Sequence, residues 1–127
     1  MARRTESSKI FKSAMDMPSG GTSTLNFNNG GIVDLQPAGD PTPGNLTVST
    51  LTGSGLITNA ANVTNLVALT PGGAATAGTL TIRGNLTLNP NAAFNVNLAD
   101  TTTVGGGVND YINVTGDLNL NANTLTV

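Results

Sequence analysis

The chain has 127 residues, of which 9% are charged and 3% are aromatic, and its formal net charge is −2. It contains neither Cys nor His, which excludes disulfides, zinc sites of thiolates and imidazoles, thiol nucleophiles and histidine acid–base catalysis. Thr (20), Asn (17) and Gly (16) are abundant instead. Because charge is low and Cys is absent, we expect an extracellular or surface-exposed structural β protein.

The basic residues are concentrated at the start of the chain, where four of the five lie within the first dozen positions. The remainder is acidic and nearly free of aromatic rings, so we expect no nucleic-acid binding. The basic start lacks the apolar run of about 7–15 residues that a signal peptide needs. No stretch approaches the roughly 18 apolar residues of a membrane helix, so we expect no membrane insertion by this segment.

Residues 1–19 form the first of two predicted regions. Ile10, Phe11, Ala14 and Met15 would share one face of a helix, and Pro18 ends the segment. Two interpretations stay open: a short helix that caps one end of the following domain, or a flexible tail, since isolated helices of this length are marginal.

Residues 20–127 form the second region, in which the hydrophobic period changes to two. Short alternating runs are bounded by Gly, Asn, Pro or Asp, which predicts strands separated by turns. The predicted strands are 25–27, 32–35, 46–48, 63–69, 80–82, 86–88, 94–98, 111–114, 118–120 and 125–127.

An internal repeat is the strongest pattern in this region. Gly-Asn-Leu-Thr-Val-Ser at 44–49, Gly-Asn-Leu-Thr-Leu-Asn at 84–89 and Gly-Asp-Leu-Asn-Leu-Asn at 116–121 are spaced by about 40 and then 32 residues. Periods of this size predict a right-handed parallel β-helix, a solenoid whose narrow aliphatic interior suits the scarcity of aromatics. Each spacing is either one coil with an inserted loop or two short coils. The alternative fold is an antiparallel β-sandwich.

The segment 78–89, followed by 110–120 and 124–127, resembles the autotransporter-associated β-strand repeats of bacterial surface proteins. The resemblance covers roughly residues 44–127. It implies a parallel β-helix of passenger-domain type, exposed at a bacterial surface or shed from it.

No constellation in the sequence predicts catalysis, a cofactor or a metal ion. Asp110, Tyr111 and Arg83 are the closest approach to a catalytic group, and a turn before a strand explains the first two better. Asn-x-Thr triplets at Asn45, Asn62, Asn85 and Asn113 are attributed to composition rather than to glycan attachment. We therefore predict no enzyme.

The predicted function is a structural or adhesive component of the bacterial surface or of an extracellular fibre. The final residues continue a strand pattern without a polar cap, which predicts head-to-tail self-association or docking to other surface proteins. The predicted assembly residues are Thr124, Leu125, Thr126, Val127, Ile10 and Phe11. The alternative function is a module that binds carbohydrate or ice surfaces through a flat Thr/Asn-rich face.

Overall fold

The computed structural model describes residues 23–36, 38–73, 75–99, 102, 104 and 107–127. The predicted region 1–19, with its capping helix or tail, lies outside the described residues. The described part is all-β and contains no helix. Its strands are β1 (Thr24–Asp34), β2 (Gly44–Thr58), β3 (Ala60–Pro71), β4 (Thr79–Ile82), β5 (Asn85–Leu88), β6 (Ala93–Asn95), β7 (Tyr111–Val114), β8 (Leu118–Asn119) and β9 (Leu125–Thr126).

The strands form one parallel sheet that is nearly closed and barrel-like. Within the described residues, the pairs of named strands are all parallel, and the one antiparallel pairing is an isolated bridge between Leu98 and Asn109. A sandwich with antiparallel strands is therefore the wrong alternative. The prediction of an all-β, parallel architecture is confirmed.

The registers sort the strand segments into three parallel ladders. Ladder 1 contains 24–27, 50–53, 68–71, β6 and β9. Ladder 2 contains 31–34, 55–58, β4 and β7. Ladder 3 contains 44–48, 60–65, β5 and β8. The chain visits ladders 1, 2 and 3 in this order and then repeats the order, and we call one such passage a circuit.

The core is a column of aliphatic side chains that face inward from the three ladders. Leu51, Leu69, Leu80 and Leu86 are fully buried members of this column. Alternation places the neighbours of these residues outside, as expected for strands with one buried face. Phe27 is a buried aromatic ring in the column, and Gly55 leaves the space that its ring occupies.

The repeat detected in the sequence lies entirely on ladder 3. Asn45 pairs with Asn62, and Asn62 pairs with Asn85, so the spacing of 40 is two short circuits. Leu86 pairs with Leu118, so the spacing of 32 is one circuit lengthened by the loop after β6. Both explanations that the sequence left open therefore occur in the same chain.

Several strand predictions were wrong in extent: the predicted strands 25–27 and 32–35 are one strand, β1, and β3 is longer than the predicted 63–69. β2 continues through 49–58, where no strand was predicted because Gly53 and Gly55 interrupt the alternation. β6 ends at Asn95 rather than at Leu98, because Asn97 leaves the ladder and bonds to the loop that precedes β7.

Candidate assembly surface

The last strand and its flanking residues include four of the six predicted assembly residues. Leu125 and Thr126 form β9, and Thr124 and Val127 flank this strand. All four are exposed. The other two predicted assembly residues, Ile10 and Phe11, lie outside the described part of the chain, so the structure does not bring the two groups together.

The inward-facing residues of β7, β8 and β9, with the residues Leu120 and Val127 that directly follow β8 and β9, form an exposed apolar layer. This terminal layer consists of Ile112, Val114, Leu118, Leu120, Leu125 and Val127. Ile112 and Val114 are half-buried, whereas the other four have exposed fractions of 44–71%. The sequence prediction included only the last two of these six residues, although alternation in β7 and β8 was the signal that identifies the others.

Each residue of the terminal layer continues the buried column by one step. Leu118 lies in register with Leu86, which is fully buried. Leu125 lies in register with Phe94, whose ring packs against the core. The terminal layer is therefore a cross-section of the hydrophobic column, exposed on its outer side.

The backbone at this layer is also open. Among the described residues, β7, β8 and β9 each have one strand partner, namely β4, β5 and β6. Their other edges thus present N–H and C=O groups that a further strand can pair with. Apolar side chains and unpaired edges together are the properties of a surface that accepts another layer of strands.

At the opposite end of the column, the inward side chains are buried rather than exposed. Leu25, Phe27, Val33 and Leu46 face inward from the first circuit, and none has an exposed fraction above 4%. The described structure therefore has one exposed apolar end and not two. Of the ten exposed large hydrophobic residues in the described part of the chain, eight lie at or beyond Leu98.

Asp110 fixes the loops beside the terminal layer. Its Oδ1 accepts a hydrogen bond from the Gly78 amide at 2.9 Å, and its Oδ2 accepts one from the Asn97 amide at 2.7 Å. The Asp110 amide donates in turn to the carbonyl of Asn97 at 2.8 Å. This buried carboxylate thus joins the loops after β3 and β6 to the start of β7.

Ladder 3 carries a regular polar surface on its outer side. Asn45, Asn62 and Asn85 form one row, and Thr47, Thr64 and Thr87 form a second row in the same register. The side-chain amide of Asn62 donates to Thr64 Oγ1 at 3.0 Å, and the Thr87 hydroxyl donates to Asn62 Oδ1 at 3.2 Å. Three of the four Asn-x-Thr triplets are thus in register on one face.

The sequence also contains Thr-x-Thr pairs, at 50/52, 79/81 and 124/126 among others, and these pairs are not stacked on one ladder. Thr50 and Thr52 lie on ladder 1 together with Thr126, whereas Thr79 and Thr81 lie on ladder 2. The Asn-x-Thr rows escaped the sequence prediction because the copy at 60–65 lacks the Gly-Asn-Leu start of the repeat.

The charged groups are dispersed. Arg83 is exposed and follows β4, on a different ladder segment from the buried Asp110. Within the described residues, no three acidic residues lie close enough to hold a metal ion together. Asp40 lies in the loop between β1 and β2, where hydrogen bonds from the Thr42 hydroxyl and then from the Thr42 amide lower the pKa of its carboxyl group. None of the described segments is a helix long and apolar enough to cross a bilayer.

Comparison of the chain with protein-family models, with curated protein sequences and with solved structures gives no match.

Proposed function

We propose that the chain is a structural and adhesive element of a bacterial surface or extracellular fibre, built as a right-handed parallel β-helix that assembles through its terminal layer. The recurring order of three parallel ladders supports the β-helix. The stacking of the repeat on ladder 3 supports the resemblance to autotransporter-associated repeats. The observation that carries the assembly is the exposed cross-section of the column at Leu118, Leu120 and Leu125.

The mechanism is continuation of the stack by a second molecule. Covering the terminal layer removes apolar surface from water, which contributes roughly 25 cal/mol for each Å² buried. Pairing of the edges of β7, β8 and β9 adds backbone hydrogen bonds and fixes the orientation of the partner. The aliphatic column and the ladder hydrogen bonds keep the element rigid, as a fibre or surface component requires.

Light scattering coupled to size exclusion, over a wide range of protein concentrations, tests the assembly. We expect the mass to rise above 12.7 kDa with concentration. Leu125→Lys should abolish the rise, because it places a charge on the terminal layer. The matched control is Val67→Lys, since Val67 is similarly exposed (54% against 58%) but lies in β3 between the ladder 3 and ladder 1 segments, away from the layer. A wild-type protein that stays at 12.7 kDa at every concentration would contradict the proposal.

A second function is favoured by the Asn and Thr rows of ladder 3: binding to a regular surface such as an insoluble polysaccharide or ice. The hydrogen bonds among Asn62, Thr64 and Thr87 hold these side chains in fixed positions, while each hydroxyl retains further bonding capacity toward the outside. Co-sedimentation with insoluble polysaccharides and ice-shaping measurements test this function. Thr64→Tyr should abolish binding and Thr81→Tyr, a half-buried threonine on ladder 2, should retain it. Equal behaviour of the two variants would refute it.

A further inference from the structure

We infer that the residues before Ser23 cover the first-circuit end of the column, so that the chain caps its own stack at that end. Of the two interpretations that the sequence leaves open for residues 1–19, this is the cap rather than the tail. The inference is independent of the proposed function, because it concerns the end of the column opposite to the terminal layer.

The inward side chains of the first circuit are buried although their strands lie at an edge. Among the described residues, β1 pairs only with β2, and the start of β2 at 44–48 pairs only with β3. The outer side of the first circuit therefore has no described strand. Leu25, Val33 and Leu46 are nevertheless only 4%, 0% and 1% exposed, whereas Leu118, in register at the uncovered end, is 44% exposed. A further segment must cover the outer side of these residues.

The loop between β1 and β2 is not this cover. Residues 38–43 of the loop are all exposed, whereas a segment packed over Val33 and Leu46 would itself be buried on one side. The described segments after this loop belong to ladder 3 of the first circuit or to later circuits. Residues 1–22 precede the first circuit and are therefore the candidate that remains in this sequence.

The path of the chain brings these residues to the required place. Ser23 is fastened to Ser49, which lies at the corner between ladders 3 and 1. The Ser23 amide donates to Ser49 Oγ at 3.2 Å, and the Ser49 amide donates to Ser23 Oγ at 3.0 Å. Since the chain visits the ladders in the order 1, 2 and 3, residues that precede ladder 1 arrive from the side of ladder 3. There they meet the open side of 44–48, from which Leu46 and Val48 face inward.

The segment also has the side chains that a cover needs. Ile10, Phe11, Ala14 and Met15 provide a group of apolar residues. Met15 lies eight residues before Ser23, and eight extended residues span up to about 26–29 Å. Facing sheets are about 10 Å apart, so this group can reach all three ladders. Contact with the column removes apolar surface of both partners from water.

Charge complementarity supports the same placement. Residues 1–22 carry four basic and two acidic side chains. Asp34 and Asp40 are the charged residues of the first circuit, and the following residues 41–82 contain no charged side chain. The basic segment and the acidic positions thus belong to the same end of the column. Pairs of exposed charges contribute little stability, so their attraction orients the cover while apolar contact holds it.

The cap changes the role of two predicted assembly residues. Ile10 and Phe11 contact the column of their own chain in this arrangement rather than a second molecule. A capped end is closed to further strands, because its apolar side chains and strand edges are already covered. Another molecule can extend the stack at this end only after the cap is displaced.

A spin label in the cap tests its position in the full-length protein. The chain has no Cys, so Ser13→Cys introduces a single label site beside the apolar group. We expect the label to cause the greatest loss of methyl signal at Leu46, with smaller losses along the row Val63, Leu86 and Leu118. A label at Asn119→Cys, an exposed site in the last circuit, is the control and should give the reverse order.

Two outcomes would overturn the cap. One is a label at position 13 that affects all four methyl groups equally or affects Leu118 most. The other is an undiminished effect on Leu46 when labelled protein without isotopes is mixed with isotope-enriched protein without a label, because the cover then comes from a second copy.

Substitution of the apolar group is a second test. A soluble paramagnetic probe should relax the methyl signals of Leu118 in the wild-type protein and spare those of Leu46. The double variant Ile10→Asp and Phe11→Asp should make the Leu46 signals sensitive to the probe, because the added charges displace the cap. The matched control, Ser8→Asp with Ser13→Asp, adds the same charges at polar positions and should keep Leu46 protected. Protection that persists in the first variant, or that is lost equally in both, would overturn the inference and leave the proposed function standing.

Discussion

Leu86 and Leu118 occupy the same row of the column but differ in exposure. Truncating each of them to alanine therefore compares a buried site with an open one. Leu86 is fully buried between Val63 and Leu118. Leu118 lies in the terminal layer with 44% of its surface exposed. We expect Leu86→Ala to destabilise the protein much more than Leu118→Ala.

The two magnitudes follow from burial. Truncating a fully buried leucine to alanine costs about 2–5 kcal/mol, because apolar burial is lost and a cavity remains. Leu118 buries about half of its side chain, and full burial of a leucine is worth about 1.5–3 kcal/mol, so its truncation should cost roughly 1 kcal/mol. No closed cavity forms there, since the outer side of the layer is open.

Urea unfolding followed by far-ultraviolet circular dichroism measures both values. The chain has one Tyr and no Trp, so dichroism is a better probe than fluorescence. The measurements belong at low protein concentration, where self-association does not add stability by mass action. Equal losses for the two variants would refute the description of a column that is closed at Leu86 and open at Leu118.

Three further predictions concern the loops and turns. Asp110→Asn should cost about 1–3 kcal/mol in unfolding free energy, since its amide nitrogen would face a backbone N–H that the carboxylate now accepts; chemical denaturation measures it. Gly53→Ala should destabilise the protein far more than Gly39→Ala, as measured by thermal melts. Both glycines have a positive φ, which costs an alanine about 1–2 kcal/mol of strain. Only at Gly53 would the added Cβ also overlap the backbone of Phe27 in the first circuit. Thr42→Ala should raise the pKa of Asp40 toward its ordinary value, because it removes the hydroxyl donor; a carboxyl-carbon NMR titration checks the direction.

Much of the fold was predictable from local patterns, because the buried face of each ladder alternates with a polar one. The repeat units at 44–49, 84–89 and 116–121 share one ladder, so identical local sequence marks identical position in the circuit. The copy at 60–65 was missed because it keeps the alternation and the Asn but has Ala61-Asn62-Val63 where the other copies have Gly, then Asn or Asp, then Leu. All four layers of ladder 3 therefore share an aliphatic residue at the inward position, but they do not share the residue at the preceding turn.

The errors arise where tertiary contacts override the local pattern. Gly53 and Gly55 weaken the strand signal of 49–58, yet the chain stays in the ladders because Phe27 fills the space that their missing side chains leave. Leu98 continues the alternation of β6, yet it is exposed because Asp110 holds Asn97 out of the ladder.

The assembly surface could be predicted only in part. Alternation alone marks Leu125 and Val127 as inward residues of an open strand. The exposure of Leu118 and Leu120 depends on which layer β8 occupies, and this depends on the register between strands 32 residues apart. The burial of the first circuit has no local signature in the sequence.

The central claim is the parallel stacking of successive circuits, and nuclear Overhauser contacts in isotope-labelled protein test it most directly. The account predicts methyl contacts along the row Leu46, Val63, Leu86 and Leu118, each to its neighbour in the row, with the cross-strand backbone pattern of parallel ladders. Short Hα–Hα contacts between opposing strands, which are the mark of antiparallel pairs, would contradict it.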